Sequence, residues 1–290
     1  MYNCCLGEDD VKAPDVAYVK PGSLPEAIDW LDRYDDAKLL AGGQSLITGL
    51  NMRLSSPSLL IDINGIDGLS SISEANGVIR IGALVRHAEL GASPLIAQKL
   101  PLIAKAVPHI AHMAIRNRGT IGGSLAVDDP ATEHPACCLA LGATIVATGK
   151  NGERRIPLEK YFKGLFETAL EHNEVLTAIE IPVPAPGAKS GFSELVRRHG
   201  DYATVGLAVQ GTQNNGKWTA LRLAYFSVGD HAMLAEKAAS VLLKGGSIED
   251  AQAALGDDLS PPPDSENSSQ TKMQFARVLL KRVMTSIEAA

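Results

Sequence analysis

The sequence predicts an α+β protein: two small α/β units, then a third unit in which antiparallel strands carry helices. Three observations lead there. Apolar positions switch between the alternation of strands and the 3.6-residue period of helices along the chain, in short runs bounded by Gly, Pro and Asn. The punctuation changes near residue 65 and again at IPVPAPGAKSG (181–191), a proline- and glycine-rich crossover with no periodicity. A chain of 290 residues with 45% hydrophobic side chains is also large enough for more than one core. The expected units are 1–64, 65–185 and 186–290.

In chain order, Ser23-Leu24-Pro25-Glu26 has the spacing of a capping box, with proline in the first turn, where its missing N–H costs nothing. Ala27, Ile28, Leu31 and Tyr34 then recur on one face, so a helix is expected over 24–34. A short buried strand follows over 37–40, a glycine pair, a helix over 46–52 and a strand over 59–62. In the second unit GVIRIGA (77–83) reads as a strand. The segment 87–114 is helical with interruptions at Pro94, Pro101 and Pro108, and 143–160 is a hairpin turning at Lys150-Asn151-Gly152. A strand over 175–181 closes that unit. The last hundred residues alternate strands (202–211, 218–228) with helices (232–243, 272–287). In the final helix Ala276, Leu279, Leu280, Val283, Met284 and Ile287 form one apolar stripe for docking. Before it, DLSPPPDSENSSQTK (258–272) has little to bury and reads as a mobile loop.

The formal charge is −6 with both signs mixed along the chain, which argues against a nucleic-acid footprint. No apolar run approaches the roughly 20 residues of a transmembrane helix, and the first residues lack a secretory pattern. The cysteines fall in adjacent pairs, Cys4-Cys5 and Cys137-Cys138, which fits neither zinc nor redox CxxC spacing. They read as free thiols, the first pair on a mobile arm and the second in a helix core. The seven histidines make no metal-binding spacing, so no metal ligands are assigned. There is no serine elbow and no cysteine with a nearby base, so no catalytic residues are assigned either.

Two similar stretches carry the functional reading: LLAGGQSLITGL (39–50) and NRGTIGGSLAVD (117–128). A glycine pair permits positive φ and lets backbone N–H groups approach a ligand with no Cβ in the way. Successive N–H groups make an anion nest, and a helix starting there adds its own donors, which suits a phosphate. Ser45, Thr120 and Ser124 add hydroxyls. Two such loops can grip a pyrophosphate from opposite sides. Neither pair is followed by the lysine of a P-loop, and the Rossmann GxGxxG is absent. On spacing alone, a pair of tight turns is the competing reading.

From Val16 to Ile287 the chain resembles the FAD-binding medium subunit of molybdenum hydroxylases of the carbon monoxide dehydrogenase type, relatives of the flavin domain of xanthine dehydrogenase. The resemblance rests on LLAGGQSL (39–46), LLIDIN (59–64), IRIGALVRHAEL (79–90), IRNRGTIGGSLA (115–126), DPATEHPA (129–136), EVLTAIEIP (174–182) and RRHGDYATVGLAV (197–209), in that order. It implies a vanillyl-alcohol-oxidase-type (PCMH-like) FAD-binding domain of two α/β subdomains, plus a C-terminal antiparallel sheet with helices. It also implies that Ala41, Gly42, Gly43, Gln44 and Ser45 clasp the FAD pyrophosphate together with Thr120, Ile121, Gly122, Gly123 and Ser124. Glu133 takes the position that holds the ribose or adenine side, and Tyr202 the position that stacks on the isoalloxazine. Arg197 and Arg198 beside it either tune the flavin's potential or face solvent.

Three positions depart from the family pattern. Ser124 stands where many relatives carry asparagine, and Glu194 where a lysine is common near the flavin. His134 replaces an apolar residue and reads as surface variation. The cysteine-rich loop of the benzoyl-CoA reductase branch is absent. As implied by the resemblance, the chain is the FAD-binding electron-transfer subunit of a heterotrimer, with a molybdenum-cofactor large subunit and a small subunit carrying 2Fe–2S clusters, assembled as a dimer of heterotrimers. Such a complex is cytoplasmic, with peripheral contact to the membrane through its assembly. A free-standing flavin oxidase of the wider fold and a flavin-less scaffold stand as rival readings.

Overall fold

The computed structural model describes residues 13–289. Cys4 and Cys5 lie outside the described residues. The N-terminal unit consists of β1 (Ala17–Val19), α1 (Leu24–Arg33), β2 (Lys38–Leu40), α2 (Leu46–Asn51) and β3 (Leu59–Asp62). β3 lies between β1 and β2 and runs parallel to both. Buried on both faces, it reads as a continuous apolar run rather than an alternating one. Ser23 Oγ accepts the Glu26 N–H at the start of α1, and Ala27, Ile28 and Leu31 are buried. Tyr34 departs from the expected face: it sits past the helix end, exposed, against Trp30.

The middle unit contains β4 (Ile72–Ala75), β5 (Val78–Gly82), α3 (His87–Ala92), α4 (Pro94–Lys99), α5 (Pro101–Ala106), α6 (Met113–Arg116), α7 (Ile121–Val127) and α8 (Glu133–Ala140). It continues with β6 (Thr144–Gly149), β7 (Gly152–Pro157), a small pair β8 (Phe162–Gly164) and β9 (Glu167–Thr168), and β10 (Val175–Pro182). The five-stranded antiparallel sheet has the order β4-β5-β10-β6-β7, so the last strand in sequence is central in space. Pro94 and Pro101 each open a new helix rather than break an old one. Cys137 and Cys138 are fully buried free thiols in α8, and burial pushes Cys138 up to about 12.

The C-terminal unit is a four-stranded antiparallel sheet of β11 (Lys189–Leu195), β12 (Val205–Asn214), β13 (Lys217–Phe226) and β14 (Met233–Leu234), covered by α9 (Glu236–Leu243), α10 (Ile248–Ala254) and α11 (Ser269–Ala289). Along β12, Val205, Leu207 and Val209 face the core beneath α11, while Ala208 joins the core of the middle unit. Alternation thus bonds one sheet to two neighbours. All six stripe residues of α11 are buried, the five larger than alanine each contributing about 1.5–3 kcal/mol as an upper bound.

Four expectations change in this unit. The crossover is only 183–188, because Lys189 already pairs in β11. The helix expected from 232 starts at Glu236, because Met233 and Leu234 pair with β13. The unanticipated α10 begins at a capping box between Ser247 and Asp250. The 258–272 segment is anchored: Leu259 is buried, Asp258 accepts the N–H groups of Lys237 and Ala238, and Asp264 pairs with buried Lys272 at 2.9 Å. Its polar residues bond one another and the helix starts around them, a pattern composition cannot reveal.

Candidate cofactor site

The 41–45 loop leaves the carboxyl end of β2 and enters α2. Gly43 has φ +72°, a left-handed conformation that glycine adopts without strain. Ser45 occupies the helix N-cap, but its side chain makes no capping bond. Among the described residues no acceptor is bonded to the N–H of Gly42, Gly43, Gln44 or Ser45. Gln44 folds back so that its Nε2 donates to Gly42 O at 3.1 Å, and Thr48 Oγ1 donates to Gln44 O. The loop's carbonyls are therefore used internally while its donors are not. Because α2 has only six residues, these N–H groups, rather than a long helix dipole, are the loop's anion-attracting feature.

The 120–124 loop is built differently. Ile121 N–H donates to Val85 O at 3.1 Å, Gly122 N–H to Ala83 O at 2.9 Å, and Gly123 N–H to Thr120 Oγ1 at 3.0 Å. The first turn of α7 is thus satisfied by protein, and the expected nest does not form at these three donors. None of its glycines has positive φ. Their role is close approach: a Cβ on Gly122 would lie 2.5–2.7 Å from Ala83, and one on Gly119 2.7 Å from the His87 ring. What this loop leaves for a ligand is the half-buried edge of Gly123 and the Ser124 hydroxyl.

The two loops meet. A Cβ on Gly42 would clash with Arg118 O and stand 2.8 Å from Gly119 Cα, so the backbones of the first and middle units touch at Gly42 and at Arg118-Gly119. Arg86 fastens the junction: its Nη1 donates to Arg118 O and its Nη2 to Asn64 Oδ1 at 2.6 Å. Asn64 Nδ2 in turn donates to Ala41 O at 2.8 Å and Leu40 O at 3.2 Å. Sequence reasoning passed over both residues. Their signal was present, since LLIDIN and LVRHAEL were recognised as motifs with no task assigned to Asn64 or Arg86.

Behind the second loop His134 Nε2 lies 3.0 Å from His87 Nδ1. His134 is 1% exposed, which corrects its reading as surface variation. Burial, with the cations of Arg116 and Arg86 nearby, lowers His87 to about 4; burial and His87 hold His134 well below the usual value. Both rings are neutral, which lets one donate to the other without a charge in the core.

Beyond α7, which is about 10 Å long by its rise, a second group of residues converges. Glu133 opens α8 and is only 7% exposed. Burial above all, with repulsion from Glu194 and Asp129 and against an opposing backbone N–H, pushes it up to about 8. It is therefore not a solvated helix-start carboxylate. Tyr202 is 67% exposed, and its phenol is raised by desolvation and by Asp129, with Glu133 contributing. Asp129 thus acts on both Glu133 and Tyr202. Arg197 ion-pairs with Glu266, and Arg198 is exposed. Asp128 caps α7 in the left-handed region, fully buried, and is raised to about 7 by burial and by Asp129.

These features fit a dinucleotide. A pyrophosphate needs unpaired donors without side chains in front of them, which the 41–45 loop supplies. The two loops also carry the Ser45 and Ser124 hydroxyls, and the Tyr202 ring is exposed. Two surface cavities of about 450 and 630 Å³, lined by segments such as 228–233 with 256–262 and 187–193 with 282–287, lie elsewhere and include no residue of either loop.

Comparison with known proteins agrees. Residues 13–184 match the FAD binding domain in molybdopterin dehydrogenase, and residues 190–287 the CO dehydrogenase flavoprotein C-terminal domain. The 6-hydroxypseudooxynicotine dehydrogenase complex subunit alpha of Paenarthrobacter nicotinovorans is 40% identical over 280 residues, covering 94% of this chain and 95% of that one. The carbon monoxide dehydrogenase medium chain of Hydrogenophaga pseudoflava is 36% identical, covering 94% and 97%. The solved structure of carbon monoxide dehydrogenase from that organism superposes with a TM-score of 0.93 at 36% identity, covering 96% of this chain and 98% of that one. With its vanillyl-alcohol-oxidase-type fold and FAD as cofactor, the chain belongs to the family of FAD-binding medium subunits of molybdenum-containing dehydrogenases.

Proposed function

We propose that this chain is the electron-transfer flavoprotein subunit of a heterotrimeric molybdenum hydroxylase. In this reading it works with a molybdenum-cofactor large subunit and a small subunit carrying 2Fe–2S clusters, and two heterotrimers pair. FAD, when bound, takes electrons from the 2Fe–2S partner and passes them to an external acceptor. The observation that carries the reading is the junction of the two glycine loops, where the donors of 42–45 have no protein acceptor among the described residues. Relatives named as medium or complex subunits support the assembly.

Each residue has a physical task. The N–H groups of Gly42, Gly43, Gln44 and Ser45 hold the pyrophosphate, with the Ser45 hydroxyl beside them. Thr120, Ile121 and Gly122 shape the opposing wall, against which Gly123 and Ser124 touch the ligand. Arg86 and Asn64 keep the two walls in register. Tyr202 covers one face of the isoalloxazine and keeps water from it. Glu133, buried at the start of α8, holds the ribose or adenine side. Substrate recognition belongs to the molybdenum partner. No helix among the described residues is long and apolar enough to cross a membrane; a cytoplasmic place, with membrane contact only through the complex, fits the proposed assembly.

The test is purification of the full chain alone and with its two partner subunits. The expected result is stoichiometric FAD that acid releases from the protein, reduced by the large subunit's substrate only in the complex. A colourless chain would favour the scaffold reading, and reduction by a small alcohol without partners would favour the oxidase.

A further inference from the structure

Basic side chains from three elements line one surface cavity of about 630 Å³: Lys105 on α5, Lys189 on β11 and Arg282 on α11. No aspartate or glutamate among the described residues lines it. The chain as a whole carries 33 acidic residues against 27 basic ones, so this local excess of donors is not inherited from composition. Two of the three basic groups are held in place. Lys105 Nζ donates to Ser190 O at 2.6 Å and Lys189 Nζ to Ile287 O at 2.8 Å, which leaves each amino group further N–H donors to offer. The third is free to move. On α11 Lys272 pairs with Asp264, Lys281 pairs with Glu249 and Arg277 Nε donates to Gln252 O, whereas the exposed Arg282 has no partner among the described residues.

Ser190 gives a second, independent sign of a ligand. It is only 7% exposed and lines the cavity, yet its hydroxyl has no hydrogen-bond partner among the described residues. A buried hydroxyl left unpaired costs free energy that an arriving acceptor recovers. Ser286, one turn beyond Arg282 on α11, adds another hydroxyl to the lining. The floor is closely packed and apolar: a Cβ on Gly191 of β11 would lie 2.5 Å from Val283 Cγ1 and 2.8 Å from Ile287 Cγ2.

We propose that this cavity binds a small phosphate ester of the size of a nucleoside monophosphate, with Lys105, Lys189, Arg282 and the Ser190 hydroxyl serving the phosphate and the apolar floor serving the organic part. Three basic groups without a carboxylate suit a dianion better than a single carboxylate, and the planar guanidinium fork of Arg282 matches two phosphate oxygens at once. The volume falls within the roughly 300–1,000 Å³ of small-molecule sites. Lys105 belongs to the middle unit and Lys189 and Arg282 to the C-terminal unit, so the bound ester bridges the two and stabilises their junction. The lining includes no residue of either glycine loop, which separates this site from the proposed FAD cleft.

The test titrates the full chain calorimetrically, at one fixed ionic strength, with adenosine 5′-monophosphate, inorganic phosphate and citrate, while visible absorbance reports FAD content. Adenosine 5′-monophosphate should bind saturably at one site and raise the thermal midpoint. Inorganic phosphate should bind more weakly because it leaves the apolar floor uncovered. Arg282→Gln should weaken the nucleotide by about tenfold or more through loss of a charged hydrogen bond, with Arg282→Lys between it and wild type and FAD content the same in all three. Lys105→Gln should weaken it as well and reduce the rise in midpoint. Absence of saturable nucleotide binding, or an affinity unchanged in both Arg282→Gln and Lys105→Gln, would overturn the site. Inorganic phosphate or citrate binding more tightly than the nucleotide would overturn the phosphate ester as its ligand.

Discussion

The 41–45 and 120–124 loops read alike in sequence, each a glycine pair beside hydroxyl residues at the start of a short helix, yet their backbones are used in opposite ways. In the first loop the carbonyls are bonded and, among the described residues, the four N–H groups from 42 to 45 are not. In the second, the donors of Ile121, Gly122 and Gly123 all reach protein acceptors. The same residue type serves positive φ at Gly43 and close backbone packing at Gly42 and Gly122. A glycine pair thus marks a place where a Cβ is excluded, and the three-dimensional neighbours decide whether a ligand or the protein itself excludes it.

If the loops differ in this way, substitutions should separate stability from cofactor retention. The largest effect is expected at Gly122→Ala, which forces a methyl into the Ala83 backbone and should cost about 3 kcal/mol. A thermal melt of apoprotein should show the loss; a wild-type midpoint would mean the second loop is not held by packing. Next comes the histidine pair behind that loop. His87 is lowered to about 4 from an unfolded value of 6.5, so its contribution is complete above pH 6.5 and is lost as pH falls through 4. That amounts to roughly 3 kcal/mol at most, and His87→Gln should flatten the melting profile between pH 4 and 6.5. A profile that keeps its slope would show that the rings are not the titrating groups.

Gly43→Ala tests the first loop. A left-handed alanine costs roughly 1–2 kcal/mol, and because the strain falls on the donors themselves, FAD content should drop more than apoprotein stability. Equal losses in both would contradict the division of labour. The sharpest contrast is also the smallest. Thr120→Ala removes a used N-cap and should cost about 1 kcal/mol of stability with FAD largely retained. Ser45→Ala removes an unused one and should leave the apoprotein midpoint unchanged while weakening FAD retention. Reversal of that pair of outcomes would exchange the roles of the two loops. Tyr202→Ala should leave folding almost intact, since the ring is exposed. It should speed reoxidation of photoreduced FAD by air, through loss of cover and about 0.5–1.5 kcal/mol of stacking. Identical rates would place Tyr202 away from the ring.

Sequence by itself determined the elements whose signals are local. The Ser23 N-cap of α1 is a purely local signal, the buried run of β3, the hairpin of β6 and β7 and the apolar stripe of α11 are patterns long enough to read, and the motif order revealed the family and its cofactor. The elements it missed are short or defined by partners. β1 and β14 have three and two residues, too few for periodicity, and exist because β3 and β13 offer them edges. For the proposed site, sequence singled out both loops, Glu133 and Tyr202 as candidates, but not the charges or bonds around them. His134 looks like surface variation until α8 packs it against His87, and Glu194 looks like a charge change until β11 buries it. Arg86 and Asn64 carry no local motif for joining loops that stand far apart in sequence. Donor pairing, burial and ionisation depend on which distant atoms arrive within a few ångströms, and only the tertiary structure decides that.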